Sequence, residues 1–151
     1  TLRELCRHLN INNKVEFLGR IPNSKMPGVL NSSDILVNIP DSESFGVSVV
    51  EAMACKKGII VSSIPAFETL VHDKKNGFKI DPVKIETLYL AMEKYVLNRE
   101  LVKLHGETNR KKVEKEFDLA TCVYHMAGIY QEFDNLHALP IPRVEILKKT
   151  A

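Results

Sequence analysis

The stretch that most limits what this chain can fold into runs from Asp34 to Ser62. An apolar run, Ile35 to Ile39, stops at Pro40 and gives way to a short polar loop. Phe45-Gly46 then opens a segment that is apolar almost all the way round. A second apolar run, Ile59 to Val61, closes the unit. Strand, loop, helix and strand at this spacing predict a βαβ crossover, which needs a parallel sheet. Two carboxylates interrupt the pattern, Glu43 in the loop and Glu51 within the predicted helix. Glu51 falls in register with Val47, Val50 and Ala54 at helical spacing, so it is expected within the apolar stripe. A buried carboxylate needs a polar partner.

The flanking sequence repeats the alternation. Leu2, Leu5, Cys6 and Leu9 predict a helix over residues 2–9, and Val15 to Leu18 predict a short strand ended by Gly19. Ser24 is placed to cap a short helix reaching Leu30, although Pro27 and Gly28 weaken it. Past Pro65 a short helix is expected over Ala66 to Val71. A turn follows at 73–77, with Asn76 or Gly77 taking positive φ. Phe78 to Ile80 predict the last strand, stopped by Asp81-Pro82. Three helices follow. The first carries an apolar stripe of Ile85, Leu88, Tyr89, Met92 and Val96, and the second holds Leu101, Leu104 and Val113. The third starts at an Asp118 cap and runs to about Phe133. The fold class is therefore α/β: a Rossmann-like, mostly parallel sheet with flanking helices. Residues 1–133 form one domain, and residues 134–151, with Pro140 and Pro142, read as an extended C-terminal arm.

Composition excludes several classes of function. With 151 residues and a net charge of +2, the chain is long enough for a core and has no strong electrostatic pull toward nucleic acid. Cys6, Cys55 and Cys122 are odd in number and far apart, as suits a reducing compartment rather than a disulfide framework or zinc site. The five histidines show no metal-ligand spacing. The lysine pairs at 56–57 and 74–75, and the basic cluster at 110–112, read as solvated charges. The helical start at Thr1 and the thin predicted sheet of four strands read as a fragment lacking at least one upstream strand.

In open α/β sheets, ligands bind beyond the carboxyl ends of the strands, where the loop Pro40 to Phe45 is expected. The helix start after it offers free amides to an anion such as a phosphate, and Gly46 permits close approach to the backbone. A carboxylate on either side of that helix start suits a nucleotide sugar, with hexose at Glu43, diphosphate at the amides and ribose at Glu51. The plainer readings are a solvated loop carboxylate for Glu43 and a structurally hydrogen-bonded one for Glu51. Ser48, on the face of Glu51, is either a ligand contact or a helix-lining hydroxyl.

The run Glu43-Ser-Phe-Gly-Val-Ser-Val-Val-Glu51-Ala-Met-Ala-Cys resembles the Glu-x7-Glu signature of retaining, GT-B-fold family 4 glycosyltransferases. Val15-Glu-Phe-Leu-Gly-Arg-Ile-Pro, Asp34-Ile-Leu-Val-Asn-Ile-Pro and Gly77-Phe-Lys-Ile-Asp-Pro are similar to flanking segments of that family, so nearly all of residues 2–133 is covered. The resemblance implies that Glu43 is the catalytic carboxylate, contacting donor sugar hydroxyls near the reacting carbon. It places Ser44 and the amides of Phe45, Gly46 and Val47 at the sugar and diphosphate, Glu51 with Ser48 at the ribose, and Arg20-Ile21 beside the base. No obligatory metal and no cofactor are implied, the nucleotide sugar being the donor substrate. The acceptor, a glycan or lipid, would be bound by an N-terminal domain lying before Thr1, as would the basic pair gripping the diphosphate. Peripheral membrane association of the full enzyme and a cytoplasmic location are compatible with this, and the fragment alone is expected to be inactive. Lys56-Lys57-Gly58 and Thr69 depart from the family pattern. The alternatives are a non-catalytic or split-subunit nucleotide-sugar-binding scaffold that needs a separate N-terminal half, and a remnant without function.

Overall fold

A computed structural model describes residues 1–137 of the chain. Its centre is a three-stranded parallel sheet in the order β1 (Ile35–Asn38), β2 (Gly58–Ser62), β3 (Phe78–Ile80). The helices are α1 (Leu2–His8), α2 (Met26–Asn31), α3 (Val47–Ala54), α4 (Ile85–Leu97), α5 (Arg99–Glu116) and α6 (Leu119–His137). The βαβ unit forms as its pattern predicts, with Ile35 in register with Gly58 and Asn38 with Val61. β2 is buried along its whole length, which is why its sequence is continuously apolar and not alternating.

Each face of the sheet carries its own core. On one, Val49, Ala52 and Met53 of α3 pack with Ile59, Val61, Phe67, Leu70 and Val71, and Val113 and Phe117 close over them. On the other, Ala91 and Tyr95 of α4 pack with Ile60, Phe78, Ile80 and Val102. The Tyr95 hydroxyl finishes the second core. It accepts from the Ile59 amide at 3.2 Å, approaches the Ile59 carbonyl at 3.3 Å and meets His105 Nδ1 at 2.8 Å. Burial drives the Tyr95 pKa up and the His105 pKa down, although a hydrogen bond to the Lys74 backbone acts against the latter.

Several predicted elements differ. Val15 to Leu18 join no ladder, so the sheet has three strands and not four. That segment lies against α1, with the Arg3 guanidinium 4.5 Å from the centre of the Phe17 ring. Apolar alternation specifies an extended backbone, but a strand also needs a neighbour to share its hydrogen bonds. Ser24 caps nothing: a 3₁₀ turn over Asn23–Lys25 leads into α2, and Pro27 occupies its first turn, where no amide is needed. The helix expected over Ala66 to Val71 shrinks to a 3₁₀ turn at Pro65–Phe67. In the 73–77 turn it is Lys74 that has positive φ, at 62°. Gly77 is needed for closeness instead, since a Cβ there would lie 2.8 Å from the Ile59 carbonyl oxygen.

The α4 stripe is turned relative to expectation. Leu88, Ala91 and Tyr95 face inward, while Ile85, Tyr89, Met92 and Val96 are left on the outer side. Leu104 of α5 is likewise exposed and Val102 takes its place in the core. α6 starts at Asp118, whose carboxylate accepts from the Ala120 amide at 3.0 Å, and continues to His137, beyond the predicted end. The rest of the predicted arm, 138–151, lies outside the described residues. Cys6, Cys55 and Cys122 are free thiols.

Candidate functional site

The loop between β1 and α3 lies at the carboxyl end of β1, and its entry is pinned from the neighbouring strand. The buried Ser62 hydroxyl, at the end of β2, donates to the Pro40 carbonyl at 2.7 Å. At the loop exit Gly46 is the N-cap of α3 in the left-handed conformation, φ 91° and ψ 51°. A Cβ at that position would lie 2.6 Å from Phe67 Cε1, so both backbone shape and space demand glycine. Having no side chain, Gly46 also leaves the helix start without a side-chain cap. The helix dipole and these first amides make an anion-seeking end.

Glu43, Ser44, Phe45 and Val47 are all exposed. The Glu43 carboxylate accepts from the Ser44 amide at 2.9 Å, a bond that shapes the loop tip. Glu51 corrects the sequence reading. It is exposed, on an outer face shared with Val47, which is 63% exposed, and Ser48. The reason is the packing of α3: Val49, Ala52 and Met53 already fill the side against the sheet, so the stripe through Val47 and Glu51 turns outward. Among the described residues, no hydrogen bond or ion pair holds the Glu51 carboxylate. Ser48 Oγ accepts from Asn38 Nδ2 at 3.2 Å, tying the first turn of α3 to the end of β1.

The structure thus gathers Glu43, Ser44, Phe45, Gly46, Val47, Ser48 and Glu51 around one helix start. Arg20 is exposed and Ile21 half-buried, in the segment following the extended stretch beside α1. Among the described residues neither is hydrogen-bonded or ion-paired to the motif. Asn38, Ser62 and Phe117 escaped the sequence reading. The first two carried a readable signal, Asn38 being a polar residue within the apolar run of β1 and Ser62 the polar residue that ends the run of β2. Phe117 carried none, because its ring reaches Phe45 from the far end of α5.

The other end of α3 is closed. The Arg110 guanidinium donates to the Ala54 carbonyl at 2.8 Å, and Asn109 Nδ2 to the Lys57 carbonyl at 3.0 Å. Buried Asn76 completes this network through Asn109 and the Leu70 carbonyl. Gly106 of α5 abuts the backbone of Lys56, whose side chain pairs with Glu107 at 2.8 Å. Lys57 donates to the Ser33 carbonyl at 3.0 Å. Lys56 is exposed, as its reading as a solvated charge expects, whereas Arg110 holds the end of the helix and Lys57 ties the following turn to the segment after α2. Among the described residues no group of three or more His, Cys, Asp or Glu is placed to hold a metal, and no helix is long and apolar enough to cross a membrane.

The chain is similar to several known proteins. An uncharacterized glycosyltransferase of Methanocaldococcus jannaschii, MJ1178, is 30% identical over 121 residues, covering 80% of this chain and 34% of that protein. The N-acetyl-alpha-D-glucosaminyl L-malate synthase of Bacillus anthracis is 25% identical over 132 residues, covering 87% of this chain and 34% of the synthase. Among solved structures, Anabaena Alr3699/HepE in complex with UDP-glucose superposes with a TM-score of 0.79 at 22% identity, over 87% of this chain and 36% of that one. Sucrose-phosphate synthase from Thermosynechococcus elongatus gives a TM-score of 0.80 at 20% identity, over 89% and 34%. These two establish the fold as that of GT-B glycosyltransferase C-terminal domains. The chain spans about a third or less of the length of the curated relatives it matches. Residues 1–123 match the family described as glycosyl transferases group 1, and the chain belongs to that family.

Proposed function

We propose that this chain is the donor-binding part of an enzyme that moves a hexose from a nucleoside diphosphate sugar to a glycan, lipid or other acceptor, with retention of anomeric configuration. The observation that carries this reading is the uncapped start of α3, with Gly46 as its cap and the exposed carboxylates of Glu43 and Glu51 on either side. Glu43, at the loop tip, would meet the sugar hydroxyls near the reacting carbon. The amides of Phe45, Gly46 and Val47 would receive the diphosphate, and Glu51, on the outer face of α3 beside Ser48, the ribose. Arg20 and Ile21 would lie by the base. Positioning and charge stabilisation at the helix start supply the catalysis, without an obligatory metal or cofactor. The acceptor would be held by another domain. Three free thiols suit a cytoplasmic location.

UDP-glucose is the first probe, since HepE has been solved with it. Calorimetric titration should show binding that persists in EDTA. Glu51→Ala should weaken it roughly tenfold or more, the scale of hydrogen bonds to a charged group. Unchanged affinity would remove Glu51 from the site. Failure to bind UDP-glucose or any other nucleotide sugar would remove the donor reading.

A further inference from the structure

Phe117 belongs to no motif, yet it stands where α5, α6 and the motif loop meet. It caps α5, donating its amide to the Val113 carbonyl at 2.8 Å, and Asp118 begins α6 immediately after it. Its ring meets the ring of Phe45 edge to face, with centroids 5.8 Å apart and an interplanar angle of 66°. Phe45 is the residue between Ser44 and Gly46, and it is 43% exposed. The loop is fastened at both ends, by Ser62 on Pro40 and by Gly46 against Phe67 and Leu70. Between those points, among the described residues, no hydrogen bond ties residues 41–45 to any other segment. The Phe45 ring is therefore an outside hold on the last residue of the loop before the helix cap, and Phe117 is what it holds on to.

α5 is a firm support for that hold. Its Gly106, Asn109 and Arg110 are fixed to the backbone at the closed end of α3. From Gly106 to Phe117 the helix advances about 16 Å, past the length of α3. We propose that Phe117 is a positioning residue for the donor loop. Through the Phe45 ring it sets the direction of the Phe45 and Gly46 amides and of the Glu43 carboxylate. It thereby governs the sugar and diphosphate end of the site and leaves the ribose end, on the body of α3, untouched. This rests on the donor reading above. Without the ring contact the loop samples more conformations, and binding must then pay to order it.

The test uses the full chain with Phe117→Leu, which keeps apolar bulk over the core, and Phe117→Tyr, which keeps the ring edge. Without ligand, nitrogen-15 relaxation should show lower order at Ser44, Phe45 and Gly46 in Phe117→Leu, unchanged order in β2 and β3, and recovery in Phe117→Tyr. UDP-glucose should bind Phe117→Leu about fivefold more weakly, the scale of one aromatic pair, while uridine binding stays the same. Unaltered loop order overturns the coupling whatever binds. Equal losses for UDP-glucose and uridine reduce Phe117 to general stability and overturn its positioning role. A wild-type chain that binds neither overturns the donor reading itself, and the relaxation data then separate that failure from loss of the coupling.

Discussion

The two ends of α3 are built by opposite means. At the carboxyl end α5 packs against the backbone of Lys56 through Gly106, and the carbonyls of Ala54 and Lys57 are taken up by Arg110 and Asn109. At the amino end the cap is a glycine, no side chain closes the first turn, and the adjacent carboxylates face solvent. A helix has unsatisfied backbone groups at each end. Here one end is tied to α5 through the Ala54 carbonyl, and the other has no side-chain cap. The eight residues of α3 are too few to stand as an isolated helix, so the open end is affordable only because the closed end is so firmly tied.

The sharpest way to break this contrast is Gly106→Ala. A Cβ there would fall 2.2 Å from the Lys56 carbonyl oxygen, inside backbone that cannot yield like a flexible side chain. A loss of at least about 3 kcal/mol is expected, read from urea unfolding. A loss below about 1 kcal/mol would show that α5 can lift off the closed end without cost. Gly46→Ala strikes the open end. Its φ of 91° and the Phe67 ring both oppose a side chain, so a loss of about 2 kcal/mol is expected, together with weaker UDP-glucose binding. By contrast Glu51→Ala, on the exposed face, should leave the urea midpoint within about 0.5 kcal/mol of wild type, so that its effect is on binding alone.

The smallest effect concerns His105, the neighbour of Gly106 under the closed end. Burial lowers its pKa below the unfolded value of about 6.5. The unfolded chain therefore takes up the proton first, and stability is present above that value and falls as pH drops below it. Melting temperature followed from pH 7.5 to 5 should decline by roughly a few degrees on this account. Replacing the ring with His105→Gln should flatten the slope over that window. An unchanged slope would place the sensitivity in other groups.

The legible parts of the sequence were those whose signal is local. The βαβ unit declared itself because β1 and β2 are uninterrupted apolar runs, and Glu43, Gly46 and Glu51 stood out inside it. The orientation of α3 was not legible. Val47, Val50 and Ala54 are as apolar as Val49, Ala52 and Met53, so two stripes competed; contact with the sheet buried the second fully and the first only in part, at Val50. α4 failed for the same reason, with Ile85, Tyr89, Met92 and Val96 forming the better pattern and Leu88, Ala91 and Tyr95 the real inner face. Val15 to Leu18 failed differently, because strand pairing depends on a neighbour that a local pattern does not contain. Lys57 and Arg110 looked solvated since nothing in their own neighbourhood names the carbonyls that they reach.

The Tyr95 hydroxyl has a consequence for the order in which this molecule assembles. It satisfies the backbone of Ile59 in the central strand, 36 residues earlier in the chain, and His105 secures it from 10 residues later. β2 can pair with β1 soon after both exist, but its other edge at Ile59 is finished by a side chain from a helix and not by a strand. Until α4 and α5 have docked, that amide and carbonyl must keep their water, and stripping the water early would leave two buried groups unpaired. Completion of the sheet is thus tied to helix docking, and the second core closes as a late, long-range step instead of zipping up strand by strand.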